Sequence, residues 1–204
     1  MSTPFAVLSR PIRIAALAIV LFLLPACAGT LASADSSTVR ARAEAGDREA
    51  QYEMGCRAQH GSGGVPRDLA EAVRWYRRAA DAALPAAQYN LGVMLVGGLG
   101  AEKDETEAAR MFLRAAERGL APAQYALSVL FDQGVGVERD PAQAFEWCRK
   151  AATQGHADAQ YNMGVSYEKG LGVEKDLAEA MEWFRLAAAQ GEASAIQALE
   201  RMGK

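Results

Sequence analysis

Only three cysteines, Cys27, Cys56 and Cys148, occur in the 204 residues. They fit neither a disulfide framework nor a zinc site, whose ligands come in closely spaced sets. Histidine is scarcer still, with His60 and His156 far apart in the sequence. Positive charge is also in short supply: 22 Lys and Arg face 25 Asp and Glu, for a formal net charge of −3. No Lys/Arg cluster gathers on one stretch. A nucleic-acid partner needs a basic stripe to release counterions from phosphates, so no nucleic acid is expected. What the chain has in quantity is apolar content, 50% of its residues, enough for the core of one ordinary domain.

The first 34 residues read as a targeting segment. Arg10 and Arg13 precede an apolar run of 11 residues, Ile14 to Leu24. That run is too short to cross a bilayer as a helix and suits the h-region of a signal peptide better than a single-pass anchor. Without Arg10 and Arg13 the net charge becomes −5. Leu24-Pro25-Ala26-Cys27 resembles the lipobox of bacterial lipoproteins, which makes Cys27 a candidate for lipidation and places the cut before it. The competing sites lie after Ala28, or after Ala34 in the A-x-A pattern Ala32-Ser33-Ala34. On either reading the mature protein leaves the cytoplasm.

Beyond the leader a period of 36 residues governs the chain. Asp68, Asp104, Asp140 and Asp176 keep this step, as do Trp75, Met111, Trp147 and Trp183. The pairs Ala79-Ala80, Ala115-Ala116, Ala151-Ala152 and Ala187-Ala188 share it too. An Ala-Gln-Tyr triplet precedes each unit, ending at Tyr52, Tyr89, Tyr125 and Tyr161. A fixed period of this size marks one supersecondary unit copied along a solenoid.

Each unit is predicted to be helix–loop–helix. In the fourth copy Ala159, Met163, Gly164 and Tyr167 form the apolar stripe of a first helix, A. Gly170-Leu171-Gly172 stops it. Asp176 then caps a second helix, B, and Glu179 completes a capping box by reaching back to the cap residue. The same D-x-x-E/Q recurs as Asp68/Glu71, Asp104/Glu107 and Asp140/Gln143. The expected organisation is a linker and partial helix over 35–46 and repeats over 47–83, 84–119, 120–155 and 156–191. A C-terminal capping helix over 192–204 closes the stack. The first loop carries one extra residue, and the first copy ends on Ala83 where the later ones have glycine.

The pattern A-x-Y-x-[LM]-G, then G-x-G-V-x-x-D, then A-x-x-W-[YF]-x-x-A-A-x-x-G, resembles the Sel1-like repeat, a relative of the tetratricopeptide repeat. The resemblance covers residues 47–191, about 70% of the chain. It implies an all-α, right-handed solenoid and an adaptor role in signalling or envelope assembly, without naming a ligand.

Catalytic constellations do not assemble. Some secreted relatives are described as binding or hydrolysing β-lactams, and Ser166-Tyr167-Glu168-Lys169 matches the S-x-x-K nucleophile motif. It falls in the last turn of an A helix without S-D-N or K-T-G, and the paired cysteines of the disulfide-rich branch are missing. The glycines of Gly98-Leu99-Gly100 follow a helix and lack the Lys-Ser/Thr of a phosphate loop. Cys56 and Cys148 replace core residues and are expected to be buried free thiols. No catalytic residue, metal ligand or cofactor is assigned.

By tetratricopeptide analogy the A helices line the binding face. Tyr52, Tyr89, Tyr125 and Tyr161 form one column there, and Asn90 and Asn162 belong to the next, with Glu53 and Ala126. Tyrosine supplies rigid amphipathic contact area, and asparagine offers both a donor and an acceptor to a peptide backbone. The same tyrosines also serve as packing residues between adjacent A helices, and both roles remain open. The leading reading is a non-catalytic exported scaffold of the bacterial envelope that binds a protein or peptide. It is periplasmic or membrane-attached only through the leader or a lipid on Cys27. The alternatives are a β-lactam-interacting or cell-wall hydrolase, and a secreted factor directed at a host.

Overall fold

The computed structural model describes Leu31 and residues 33–203. The leader, with its apolar run and Cys27, lies outside the described residues. Among the described residues there are ten α-helices and no strands. They are α1 Ser36–Glu44, α2 Arg48–His60, α3 Leu69–Asp81, α4 Pro85–Gly97, α5 Glu105–Glu117, α6 Ala121–Gln133, α7 Pro141–Thr153, α8 Ala157–Lys169, α9 Leu177–Ala189 and α10 Ala193–Met202. The fold is an all-α solenoid. It comprises two compact units, one ending at Arg118 and one beginning at Gly119. In the first, α1 packs on α2, α2 on α3, α3 on α4 and α4 on α5. In the second, α6 packs on α7, α7 on α8, α8 on α9 and α9 on α10.

The repeated aspartates do cap the B helices. Asp68 and Asp104 accept from the amides of Glu71 and Glu107, and Asp140 and Asp176 each accept from two first-turn amides. The reciprocal half of the expected capping box is replaced. Each aspartate's own backbone N–H donates to a carbonyl of the preceding A helix: Asp68 to Ala58, Asp104 to Leu95, Asp140 to Phe131 and Asp176 to Tyr167, at 2.8–3.1 Å. With that donor already satisfied, the glutamates turn outward. Glu71 accepts from Trp75 Nε1 and Arg40, and Glu107 pairs with Arg77 one repeat back.

Packing between the helices of one repeat depends on a glycine under an aromatic ring. A β-carbon on Gly55 would sit 2.6 Å from the Tyr76 ring, on Gly92 2.8 Å from Phe112, and on Gly164 2.6 Å from Phe184. All three rings are fully buried. The third repeat changes both members at once, with Ser128 for the glycine and Cys148 for the ring.

The cysteine expectation is half corrected. Cys148 is a free, buried thiol, and burial pushes its pKa up to about 12, so it is inert. Cys56 is disulfide-bonded rather than free. Burial alone cannot reveal such a pairing, since a buried thiol and a buried disulfide sulfur fill a core equally well.

Candidate functional site

The A helices α2, α4, α6 and α8 carry the candidate face. Each starts with Ala-Gln-Tyr and ends on a glycine in the left-handed region, Gly61, Gly98, Gly134 or Gly170. The glutamine has a role that the sequence reading passed over. Gln51 Nε2 donates to the Ala43 carbonyl, Gln88 to Ala80 and Gln160 to Ala152, at 3.1–3.2 Å. These carbonyls belong to the last turns of the preceding helices, where each also accepts from the backbone N–H three residues on, Gly46, Ala83 or Gly155. The offset of eight residues from Ala80, Ala116 and Ala152, the second alanines of three Ala-Ala pairs, to Gln88, Gln124 and Gln160 was the available signal.

The tyrosine column is mostly interior. Tyr52, Tyr89 and Tyr125 are buried and Tyr161 is half-buried. Three of the four rings lean on the B-helix aromatic of their own repeat: Tyr52 on Tyr76, Tyr89 on Phe112 and Tyr161 on Phe184, with centroids 5.6–5.7 Å apart. In the third repeat, where Cys148 offers no ring, Tyr125 stacks on His156 at 4.7 Å. The asparagines tie repeats together. Asn90 Nδ2 donates to Tyr52 Oη and Asn162 Nδ2 to Tyr125 Oη, over long contacts of 3.5 and 3.4 Å. Burial raises the pKa of Tyr52, Tyr76, Tyr125 and Tyr161, which keeps these hydroxyls neutral.

Of the six candidate contact residues, Tyr161 and Asn162 on α8 are only partly buried, whereas Asn90 is fully buried. The α8 face continues through the half-buried Ser166, Tyr167 and Glu168 to the exposed Lys169. Arg201 of α10 pairs with Glu168 at 2.6 Å. The result is an aromatic and amide surface with charge of both signs at one end. It can hydrogen-bond a polypeptide and hold an aromatic or aliphatic side chain against Tyr161. Ser166 and Lys169 lie in the last turn, where the Ser166 carbonyl accepts from Gly170 and Leu171. His60 contacts the Cys56 carbonyl at the end of α2, while His156 precedes α8. Among the described residues no three His, Cys, Asp or Glu side chains gather as a metal site.

The Sel1 repeat matches this chain four times, over residues 48–84, 85–120, 121–156 and 157–192. The chain belongs to the Sel1 repeat family. Sel1 repeat proteins are generally non-catalytic scaffolds for protein–protein interaction. Two solved structures are similar in sequence as well as fold. A protective antigen of uropathogenic Escherichia coli with an SLR fold is 40% identical, with a TM-score of 0.78; the match covers 81% of this chain. This chain spans only 35% of that antigen's length. A Sel1 repeat protein from Oxalobacter formigenes is 31% identical, with a TM-score of 0.75, and the match covers 83% of this chain and 67% of that one. Helicobacter pylori cysteine rich protein B shares the fold at 20% identity and a TM-score of 0.52, over 65% of this chain and 96% of that one. No curated protein matches the sequence.

Proposed function

We propose that this Sel1 repeat protein is a non-catalytic adaptor of the bacterial envelope that holds a protein or peptide partner on the A-helix face of its C-terminal unit. The observation that carries the reading is the accessibility of Tyr161 and Asn162 on α8, where the matching Tyr89 and Asn90 of α4 are buried. Half-exposed tyrosine and asparagine suit a recognition surface, because they give contact area and adaptable hydrogen bonds at low entropic cost. The Ser166 motif has no base or second motif beside it in the sequence, so no hydrolytic step is proposed.

Export is supported by Arg10 and Arg13 ahead of the apolar run Ile14–Leu24. No described helix is long and apolar enough to cross a membrane. Lipidation of Cys27 is the attached form of this proposal.

The test is site-specific photo-crosslinking in cells. A photoreactive residue at Asn162 or Glu168 on α8 is expected to trap a partner polypeptide, and one at the exposed Arg185 of α9 is not. Adducts from Arg185 with none from α8 would move the binding face to the B helices.

A further inference from the structure

We propose, resting on the α8 face assigned above, that its ligand is an extended peptide of ordered charge, with a basic side chain seated at Asp158 and an acidic one at Lys169. Asp158, Asn162, Ser166 and Lys169 follow one another along α8 at steps of four, four and three residues, so they stand in one row on one face. The row is open to a ligand: its first three residues are half-buried and Lys169 is exposed. Tyr161 borders it, packed against the core cluster that includes Ala195 and Ala198 of α10.

The copies agree where the helices pack and disagree along this row. Ala159 and Tyr161 recur in every A helix. By contrast, Ala86 and Pro122 stand where Asp158 does, Met94 and Leu130 where Ser166 does, and Gly97 and Gln133 where Lys169 does. On α4 and α6 the row therefore carries no charge. On α2 it carries Glu53 and Arg57, which pair with each other at 2.8 Å. On α8 the opposite charges are eleven positions apart, about 16 Å along the helix, and cannot reach each other. They are left for a ligand to pair.

Asp158 is short of a cation. Its side chain is 25% exposed, and burial raises its pKa above 3.8, with Glu192 adding to the rise. The basic group facing it, His156 Nδ1 at 3.9 Å, is kept neutral near pH 7 by its own burial. A lysine or arginine delivered there would meet a carboxylate already stripped of much of its hydration. At the other end Glu168 is occupied by Arg201, while Lys169 forms no ion pair among the described residues. Between the two charges, Asn162 directs Nδ2 to Tyr125 Oη, which leaves its amide oxygen to accept from a ligand's backbone N–H. Four residues of helix rise about 6 Å, close to the roughly 6.6 Å between alternate side chains of an extended strand. The span from Asp158 to Lys169 thus matches about five extended residues, where a helical ligand would need about eleven.

The experiment is selection of a displayed library of random dodecapeptides on the full chain, repeated on Lys169→Glu, an exposed last-turn change. On the wild type the enriched peptides should carry a basic and an acidic residue about four to six positions apart. On Lys169→Glu the acidic residue should give way to a second basic one. For the most enriched peptide, made synthetically, fluorescence anisotropy should show roughly tenfold weaker binding to Lys169→Glu and to Asp158→Asn, the size of one partly desolvated charge pair. Exchanging the peptide's own two charged residues should weaken it similarly. Enriched peptides without the charge pair, the same peptides on both proteins, or equal affinity after the exchange overturn the proposal. If such peptides lack the pair yet fail to bind Tyr161→Ala with Asn162→Ala, the α8 face stands and only the charge order falls. If no peptide is enriched, the linear ligand is overturned, and a folded partner trapped from α8 still supports the face itself.

Discussion

The ring of Phe184 lies over Gly164 so closely that an added β-carbon would be 2.6 Å from its edge. The contact lets α8 and α9 approach each other within the fourth repeat. It predicts that Gly164→Ala destabilises the protein by roughly 1–3 kcal/mol through overpacking, although alanine is the better helix former by about 1 kcal/mol. Urea denaturation followed by circular dichroism measures it, and a stabilised variant would mean that the ring is free to move aside.

Ala83 is the one non-glycine residue with positive φ among the described residues, at 60°, where the later copies have Gly119, Gly155 and Gly191 at 85°, 90° and 86°. An L-residue pays about 1–2 kcal/mol for this conformation. Ala83→Gly is therefore expected to raise stability by roughly 1 kcal/mol, and Gly155→Ala to lower it by a similar amount. A lower melting temperature for Ala83→Gly would contradict the assignment of strain to this turn.

Asp140 accepts from two first-turn amides of α7 and its own N–H is tied to Phe131. Asp140→Ala removes only the side-chain cap and should cost about 1 kcal/mol. Trp147, buried in the same helix beneath Lys150, should cost about 3–5 kcal/mol as Trp147→Ala. Denaturant midpoints in the reverse order would show that the caps, and not the core column, dominate.

The solenoid was legible in the sequence because it is written four times. Asp176, Gly170 and the Ala187-Ala188 pair each perform the cap, stop or packing that their spacing implied. Glu179 and its equivalents were misread as capping-box partners because nothing in the spacing shows where the aspartate's own N–H goes. That donor crosses to helix A, a tertiary contact. The compensation in the third repeat was also visible, since Ser128 and Cys148 both break the pattern there. Their pairing was missed because they lie 20 residues apart and touch only after the helices fold together. The partners of Arg57 were not legible either: its Nε donates to Glu53 on the same helix and its Nη2 to the carbonyls of Leu31 and Ala34, and a backbone carbonyl carries no signal of residue type.

His156 stacks on Tyr125 and faces Asp158 at 3.9 Å. Burial holds its pKa below the ordinary 6.5, with Asp158 opposing the shift, while burial raises the pKa of Asp158 above 3.8. The unfolded chain therefore binds a proton at His156 more readily than the native one. Stability from the neutral imidazole is present above about pH 6.5 and is lost as the pH falls below it. The melting temperature should drop between pH 7.5 and 5.5 by more in the wild type than in His156→Gln. Parallel drops would place the acid sensitivity elsewhere.

The claim that α8 is the recognition face is tested most directly by the affinity of the crosslinked partner, purified, for the wild type and for Tyr161→Ala with Asn162→Ala. An aromatic anchor at the centre of an interface typically contributes about 2 kcal/mol or more on truncation. Titration calorimetry should show binding weakened by roughly 30-fold or more per folded molecule, with the helical spectrum retained. Unchanged affinity in a folded double variant would contradict the account and return these two residues to the packing of the fourth repeat.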